Sequence, residues 1–383
     1  MLQSPKFTEK HLKLLYFITK SEGGGGAQTH VMQLARFMVS QGHEVAIMSQ
    51  PGGWLAERAQ ELGVTYLENP HIDNTLNPLR LWHAGQSLIQ AIKTFAPDLI
   101  SCHSTIAGLV GRFTVRGRIP TIFTAHGWGF APGIPQPRRA LVALAERLAA
   151  PKAEKIICVS EFDRQLALAA GVGTPAQLMT IHNGVEEITS PQQEIEARND
   201  EGEDMVKALF VGRLAPQKDP LVLVRAVAAL PQDIRAKLEL TIIGNGPLEQ
   251  PTRELIASLK LEDTITLLPR LERRDLFARY GTSDLFILTS HWEGLPRSIL
   301  EAMAHNLPII ATDVGGVAEA VGEDAGLLVP EHHQGALTQA LKRLISDKKL
   351  RQNMGAAGRA KTLGDFSLER MCNKTEEVYK AIV

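Results

Sequence analysis

The sequence has few of the features that mark disulfide-rich, exported or membrane-spanning proteins. Its 383 residues contain three cysteines, Cys102, Cys158 and Cys372, and no Cys-x-x-Cys spacing. Two of the three lie in apolar, strand-like runs, so buried free thiols are expected. No stretch reaches 18 uninterrupted apolar residues, and the N-terminus lacks the apolar core of a signal peptide. These absences predict a soluble, cytoplasmic protein.

Neither sign of charge is in excess. The chain has 41 lysines and arginines against 42 aspartates and glutamates, which gives a formal net charge of −1. Because no net positive field attracts polyanions to the chain as a whole, we expect no nucleic-acid partner.

Strand-like and helix-like runs alternate along most of the sequence. This alternation predicts an α/β protein with parallel sheets that helices cover on both faces. The predicted strands are 11–19, 44–49, 64–68, 98–103, 120–125, 155–160 and 178–182 in the first half, and 208–212, 238–244, 264–269, 284–290, 308–312 and 326–330 in the second. Between the halves, residues 186–206 are polar and acidic, which favours a linker or long exposed loop. We therefore predict two doubly wound domains, whose ligands bind beyond the carboxyl ends of the strands.

A glycine-rich loop, SEGGGGAQTH (21–30), follows the first predicted strand and precedes a helix at 27–43. Gly25 and Gly26 would let a phosphate approach the backbone closely. The dinucleotide fingerprint Gly-x-Gly-x-x-Gly is not met, because Gln28 stands at its third glycine. A phosphate-binding loop and a flexible connector are the two interpretations left open.

Cations and glycines follow the first strands of the second half. Arg213 and Lys218 flank a turn in GRLAPQKDP (212–220), and Gly244 and Gly246 follow the next strand in IIGNGPLE. A solvated pair of cations is one interpretation. A diphosphate site is the other, since Arg offers a fork of donors and Lys a point charge.

Two carboxylates occur in HWEGLPRSILEAMA (291–304), a stretch that joins a predicted strand to a helix. Glu293 falls in the loop, and Glu301 falls in the helix that begins near Pro296. If the segment were fully helical, eight residues would separate their backbones by roughly 12 Å. A solvated helix face is the ordinary explanation, but this spacing also suits an extended ligand with hydroxyls at both ends.

Together these motifs resemble those of the retaining glycosyltransferases of family 4, which have the GT-B fold. The resemblance spans essentially the whole chain and rests on GGAQTH, AHGW, VSE, HNGV, GRLAPQKDP, IIGNGPL and EGLPRSILE. It implies two Rossmann-like domains that face each other across a cleft. We assign residues 1–188 to the acceptor side and 189–365 to the nucleotide-sugar side, with a helix at 366–383 returning to the first domain.

The resemblance also implies roles for individual residues. Glu293 would contact hydroxyls of the donor sugar, Glu301 the ribose, and His126, in TAHGWGF, the sugar near its reacting carbon. Arg213 and Lys218 would neutralise the diphosphate. The remaining donor-binding positions would be Gly25, Gly26, Gly244, Gly246, Gly294 and Leu295. One departure is visible, because Asp219 stands where the family commonly has glycine; aspartate is a good N-cap for the helix that follows.

The implied reaction moves a sugar from a UDP- or GDP-sugar to a carbohydrate or lipid-linked acceptor, as in polysaccharide, lipopolysaccharide or glycolipid biosynthesis. No Asp-x-Asp sequence is present, so we expect no metal site and no cofactor. Arg213, Lys218 and a helix N-terminus would stabilise the leaving diphosphate. The departing phosphate oxygen would accept the acceptor's proton on the same face of the sugar; Glu293 as a nucleophile is the alternative.

Other classes stay open at this stage: a nucleotide-sugar epimerase, a non-catalytic two-domain sugar-binding protein, or an inactive subunit of a transferase pair. The segment 134–152 combines an apolar helix face with Arg138, Arg139, Arg147 and Lys152. Core packing is its favoured interpretation. The alternative is a surface for a lipid-linked acceptor, which would place the protein peripherally at the inner face of the membrane.

Overall fold

The chain divides into two compact units, each built around its own parallel sheet. Met1–Ile181 and Met371–Val383 form the first unit, and His182–Arg370 form the second. The computed structural model describes residues 11–23, 25–188 and 205–383.

The first unit contains seven parallel strands: β1 (Lys13–Ile18), β2 (Glu44–Ser49), β3 (Thr65–Glu68), β4 (Leu99–His103), β5 (Thr121–Ala125), β6 (Lys155–Cys158) and β7 (Leu178–Thr180). Their order in the sheet is β3-β2-β1-β4-β5-β6-β7. Central strands such as LISCH and TIFTA are buried along their whole length, because helices cover both faces of the sheet.

The helices of the first unit come from the segments between these strands. They are α1 (Gly26–Ser40), α2 (Gly53–Glu61), α3 (Pro78–Phe95), α4 (Thr105–Val115), α5 (Gln136–Ala149) and α6 (Glu161–Ala169), with a 3₁₀ turn at Ala150–Lys152. The buried core joins residues of the sheet, including Phe17 and Phe123, to helix residues such as Leu88 and Val110.

The second unit contains six parallel strands: β8 (Val206–Val211), β9 (Leu238–Ile243), β10 (Ile265–Leu268), β11 (Leu285–Leu288), β12 (Ile309–Thr312) and β13 (Gly326–Val329). Their order is β10-β9-β8-β11-β12-β13. Its helices are α7 (Pro220–Ala228), α8 (Gln232–Arg235), α9 (Glu249–Ser258), α10 (Arg273–Gly281), α11 (Arg297–Ala304), α12 (Val317–Val321), α13 (Gln334–Ser346) and α14 (Lys348–Gly364).

The predicted α/β class is confirmed, and all thirteen predicted strand runs overlap an observed strand. In each sheet the strand order reverses at one point, between β1 and β4 in the first and between β8 and β11 in the second. The two loops that leave the sheet at a reversal point diverge to opposite faces, which opens a crevice for a ligand.

The division between the units falls between Ile181 and His182, earlier than the predicted boundary at 188/189. The cause is a set of contacts that binds this segment into the second unit. Asn183 Nδ2 donates to the Leu295 carbonyl at 2.8 Å, and Val185 N donates to the Phe366 carbonyl at 2.9 Å. Most of the predicted linker 186–206 lies outside the described residues.

The last helix, α15 (Leu368–Ile382), begins at the end of the second unit, and its residues from Met371 onward belong to the first. Two side chains attach it to that unit. Glu376 Oε1 lies 2.9 Å from His43 Nε2, and Tyr379 donates to Ser101 Oγ at 2.8 Å. Both glutamate and tyrosine sit on the buried face of the helix.

The three cysteines are buried and none of them forms a disulfide, as predicted. Among the described residues, none of the helices combines the length and apolar character that crossing a bilayer requires.

Helix α5 departs from its expected packing. Its buried face is formed by Val142, Glu146 and Ala149, as expected for a covering helix. Leu141, Leu144 and Leu148 are instead 55%, 52% and 57% exposed. Core packing is therefore the wrong interpretation for these three leucines, which form an apolar stripe along the outside of the helix.

Candidate active site

The loops after β8 and β11 bring a lysine and a glutamate together at the reversal point of the second sheet. Lys218 Nζ forms an ion pair with Glu293 Oε1, and Ser290 Oγ donates to the same oxygen at 2.5 Å. The side chains of Lys218 and Glu293 are only 15% and 9% exposed. The chain thus holds a cation, a carboxylate and a hydroxyl in one partly enclosed cluster.

Hydrogen bonds from backbone and side-chain donors to backbone carbonyls connect these two loops. His291 N donates to the Gln217 carbonyl at 2.8 Å, and Gln217 Nε2 donates to the Trp292 carbonyl at 2.8 Å. Thr289 Oγ1 donates to the Lys218 carbonyl at 2.9 Å. Lys218 and Glu293 are 75 residues apart in sequence, and these bonds fix the spacing of the backbones that carry them.

Asp219 has a backbone conformation that few residues other than glycine adopt. Its φ of +36° lies in the left-handed region that favours glycine. The aspartate offsets this strain by capping α7, because Oδ1 accepts from Val222 N at 3.2 Å. Its other oxygen lies 3.2 Å from His291 Nε2. The predicted N-cap is confirmed, and it ties the lysine loop to the residue that begins the glutamate loop.

Gly244 and Gly246 allow the loop after β9 to press against the loop that carries Arg213. A Cβ on Gly244 would lie 1.9 Å from the Gly212 carbonyl oxygen, and one on Gly246 would lie 2.2 Å from the Leu214 oxygen. Only glycine fits at either position. Both glycines therefore allow this close packing of two backbones. The Arg213 side chain is exposed.

Gly294 and Leu295 are held from behind by a second glycine pair, which follows β12. Gly316 N donates to the Gly294 carbonyl at 2.8 Å. A Cβ on Gly315, whose φ is +58°, would lie 2.0 Å from the backbone carbonyl oxygen of Glu293. Leu295 is buried, and its carbonyl accepts a hydrogen bond from Asn183 Nδ2.

Glu301 lies on the first turns of α11 with its own partners. Its Oε1 is 3.5 Å from Arg297 Nη2, and Tyr280 donates to Oε2 at 3.4 Å. Burial raises the pKa of Tyr280 well above its ordinary value, and the nearby Glu301 charge adds to this, so the phenol keeps its proton. Burial lowers the pKa of Arg297, and Glu301 opposes that shift. Glu301 also lines a recess with Glu186, Arg273, Phe277 and other residues.

Gly25 and Gly26 start helix α1 in the first unit. Gly25 is the N-cap residue, Gly26 is the first helical residue, and both are exposed. A Cβ on Gly25 would meet Gln28 Oε1 at 2.9 Å. Gly24 lies outside the described residues.

His126 follows β5 and lies in a group of three histidines. His103, the last residue of β4, places Nδ1 3.0 Å from His126 Nε2. The His30 ring packs edge-on against His126, with 4.7 Å between ring centroids. Burial lowers the pKa of His103 well below its ordinary value, and the neighbouring His126 lowers it further, so His103 is neutral.

Two groups of described residues have the geometry to hold a metal ion. One is His30, His103 and His126; the other is His291, Glu331 and His332. In each group one nitrogen or oxygen of every member lies within 4.8 Å of the others. The first group is largely buried, whereas the second has an exposed member, His332.

The structure therefore brings some predicted site residues together. Lys218 and Glu293 are in contact, and the glycine loops position the backbones of Arg213 and Gly294. Sequence reasoning missed the supporting residues Ser290, Gly315, Gly316, Tyr280 and Arg297. Position in the sequence could have indicated three of them. Ser290 is the last residue of the predicted strand 284–290, and the glycine pair follows the predicted strand 308–312, where the ligand-binding loops of a parallel sheet lie.

Comparisons with known proteins show which family the chain belongs to. Residues 24–187 match the family described as Glycosyltransferase Family 4, and residues 191–361 match Glycosyl transferases group 1. The chain is 28% identical to a D-inositol 3-phosphate glycosyltransferase of Kineococcus radiotolerans, over 94% of this chain and 91% of that protein. It is 32% identical to one from Salinispora arenicola, over 74% of this chain and 68% of that protein.

A solved structure shows the same fold. The crystal structure of Anabaena HepE in complex with UDP-glucose superposes with a TM-score of 0.80 at 20% identity, covering 97% of this chain and all of that one. The chain therefore belongs to the glycosyltransferases of the GT-B fold.

Proposed function

We propose that this protein is a retaining glycosyltransferase that moves a sugar from a nucleotide-diphosphate sugar to a carbohydrate or lipid-linked acceptor. The observation that carries the proposal is the cluster of Lys218, Glu293 and Ser290 at the reversal point of the second sheet. The UDP-glucose complex of HepE, a protein of the same fold, supports a UDP-sugar as the donor.

The cluster suits a ligand that combines negative charge with hydroxyls. Glu293 accepts hydrogen bonds from sugar hydroxyls, while Lys218 faces the diphosphate beside it. Lys218 and Glu293 form an ion pair, so neither is an uncompensated buried charge. When a diphosphate arrives, Lys218 gains a second anionic partner without moving far, which is preorganised electrostatic stabilisation of the leaving group.

The other residues complete the proposed donor site. Arg213, exposed and fixed through its backbone, supplies the second cation for the diphosphate. The backbone groups of Gly25, Gly26, Gly244, Gly246, Gly294 and Leu295 approach the donor. Glu301 binds the ribose, and His126 contacts the sugar near its reacting carbon. These cations do the work that a metal does elsewhere, so turnover needs neither metal nor cofactor.

The acceptor belongs to polysaccharide, lipopolysaccharide or glycolipid biosynthesis. The relatives named D-inositol 3-phosphate glycosyltransferase make inositol phosphates worth including among the candidate acceptors.

A screen of UDP- and GDP-sugars tests the donor. Thermal shift identifies the donor that raises the melting temperature. Lys218→Ala should abolish that rise, whereas Lys237→Ala should keep it, because Lys237 is an exposed cation at the opposite end of β9. Transfer to an acceptor, with the anomeric configuration of product and donor compared by NMR, then tests the reaction. An inverted product, or an epimerised donor without transfer, would reject the proposal.

The exposed leucines of α5 support a peripheral membrane contact through 134–152. Leu141, Leu144 and Leu148 form the apolar stripe, and the exposed Arg138 and Arg147 favour anionic lipid. Co-sedimentation with vesicles tests the contact. Leu144→Gln should weaken binding to vesicles containing phosphatidylglycerol.

The matched control for this contact is Leu79→Gln, at another exposed leucine, on α3. Equal binding of wild type and Leu144→Gln would remove α5 as the contact surface.

A further inference from the structure

A buried line of hydrogen bonds runs from the last helix to His126. Tyr379 donates to Ser101 Oγ at 2.8 Å, Ser101 Oγ lies 3.0 Å from His103 Nε2, and His103 Nδ1 lies 3.0 Å from His126 Nε2. Tyr379 and Ser101 are 278 residues apart in sequence. Tyr379, Ser101 and His103 have no exposed surface, so water does not compete for these bonds.

The chemistry of the groups gives the line a direction. Burial raises the pKa of Tyr379 far above the physiological range, so its hydroxyl is a phenol and donates to Ser101. Among the described residues, Ser101 Oγ has two hydrogen-bond partners, Tyr379 and His103 Nε2, so its single proton is donated to His103 Nε2. A neutral imidazole has one N–H, so the His103 proton lies on Nδ1 and is donated to His126 Nε2. His126 is thereby left with its proton on Nδ1.

We propose that Tyr379, Ser101 and His103 are positioning residues that hold His126 in one ring orientation and in its Nδ1–H tautomer. This inference rests on the proposed function, because the role of His126 towards the donor sugar is part of it. Because the ring is held in one tautomer, it always presents the same N–H donor. Many functional histidines have their tautomer fixed by a neighbouring group in this way.

The tautomer can be measured without any substrate. Side-chain nitrogen chemical shifts distinguish Nδ1–H from Nε2–H imidazole, and His126→Gln identifies the His126 signals. In wild type His126 should be the Nδ1–H form alone. Tyr379→Phe and Ser101→Ala should introduce the other tautomer or broaden the signals by exchange, since each removes a bond of the line.

Kinetics then ask whether the line acts through His126. One hydrogen bond is worth about 2- to 10-fold in an equilibrium, so Tyr379→Phe should lower kcat about 2- to 10-fold with little change in the KM for donor. In a His126→Gln background the same change should have no further effect, because the line then positions nothing.

Glu376→Gln is the matched control. It weakens another buried attachment of the same helix, the contact with His43, and leaves the line intact. It should lower the melting temperature without changing the His126 signals or kcat. If Glu376→Gln lowers kcat as much as Tyr379→Phe does, the effect comes from docking of the helix and the proposal fails.

The remaining outcomes separate this proposal from the proposed function. If wild-type His126 is the Nε2–H form, or if Tyr379→Phe leaves its signals unchanged, the positioning line is refuted whatever the enzyme does. If the tautomer changes as expected but His126→Gln retains full kcat, the line of hydrogen bonds fixes the tautomer but His126 has no role in the reaction. The proposal that these residues position a functional histidine is then refuted.

Discussion

The buried ion pair between α4 and α5 allows a sharp prediction about stability. Arg112 Nη2 lies 2.6 Å from Glu146 Oε2, and both side chains are 0% exposed. The guanidinium also donates from Nε to the Gly108 carbonyl and lies over the Phe123 ring. Among the described residues, Arg112 Nη1 and Glu146 Oε1 have no hydrogen-bond partner, so the pair does not recover its full desolvation cost.

Glu146→Ala should therefore destabilise the first unit by about 3–5 kcal/mol, because it leaves the buried Arg112 guanidinium without its ionic partner. A loss of that size corresponds to about 10²- to 10⁴-fold faster exchange for amides that exchange through global opening of this unit. Hydrogen–deuterium exchange of β4 and β5 peptides reads the first unit alone. The double variant Arg112→Met with Glu146→Leu should regain most of the loss, since no buried charge remains.

The single variant Arg112→Met should behave differently with pH. Burial already raises the pKa of Glu146, with Arg112 opposing the shift, and removal of Arg112 raises that pKa further. The folded state then binds the proton more tightly than the unfolded one. Its stability should therefore rise as pH falls from above the folded pKa towards the ordinary value of 4.5. Glu146→Ala should show no such recovery.

Two results would refute the reasoning about the ion pair. One is a loss of stability below about 1 kcal/mol for Glu146→Ala, and the other is a double variant as unstable as Glu146→Ala.

Three further outcomes are expected. EDTA should leave donor turnover intact; loss of activity that magnesium or manganese restores would contradict this. Glu301→Ala should mainly raise the KM for donor, because contacts to the ribose change little during the reaction, whereas Arg213→Ala should lower kcat by about 10²–10³, since Arg213 faces charge that grows during bond cleavage. Steady-state kinetics on folded variants measures both effects. A loss of kcat in Glu301→Ala with normal donor affinity would show that the role assigned to Glu301 is wrong. Burial of Glu376 is outweighed by hydrogen bonds from Lys380 and His43, so the pKa of Glu376 is lowered, and its stabilising contribution is present above pH 4.5 and lost as pH falls below it. Below pH 4.5 the melting temperature should therefore fall more steeply with pH for wild type than for Glu376→Gln. The same pH dependence of the melting temperature in both proteins would contradict this.

The sequence predicts the elements of this fold well because their signals are local. Apolar runs of four to six residues such as DLFIL and PIIAT are recognisable without knowledge of their neighbours. The N-cap at Asp219 is likewise read from a few adjacent residues. The parallel direction of the strands then follows from the helical crossovers that connect them.

The supporting contacts of the candidate site were not predictable in the same way. Glu293 could be singled out from its loop, but its pairing with Lys218 depends on two loops 75 residues apart. His103 was hidden inside a strand that reads as ordinary core. Tyr379 reads as one apolar position of an amphipathic helix, and only the folded chain shows which hydroxyl it meets. Pairings of this kind are set by tertiary packing, which single-sequence patterns do not encode.

The membership of residues 371–383 in the first unit has a consequence for biosynthesis. As the polypeptide leaves the ribosome, all seven strands of the first sheet emerge long before Glu376 and Tyr379 do. While nearly two hundred residues of the second unit are translated, the nascent first unit lacks α15, and His43 and Ser101 lack the partners that this helix provides. Pulse-labelled ribosome-bound chains should therefore show protease resistance in the second unit before the first is complete, an order opposite to that in which the two sheets are synthesised.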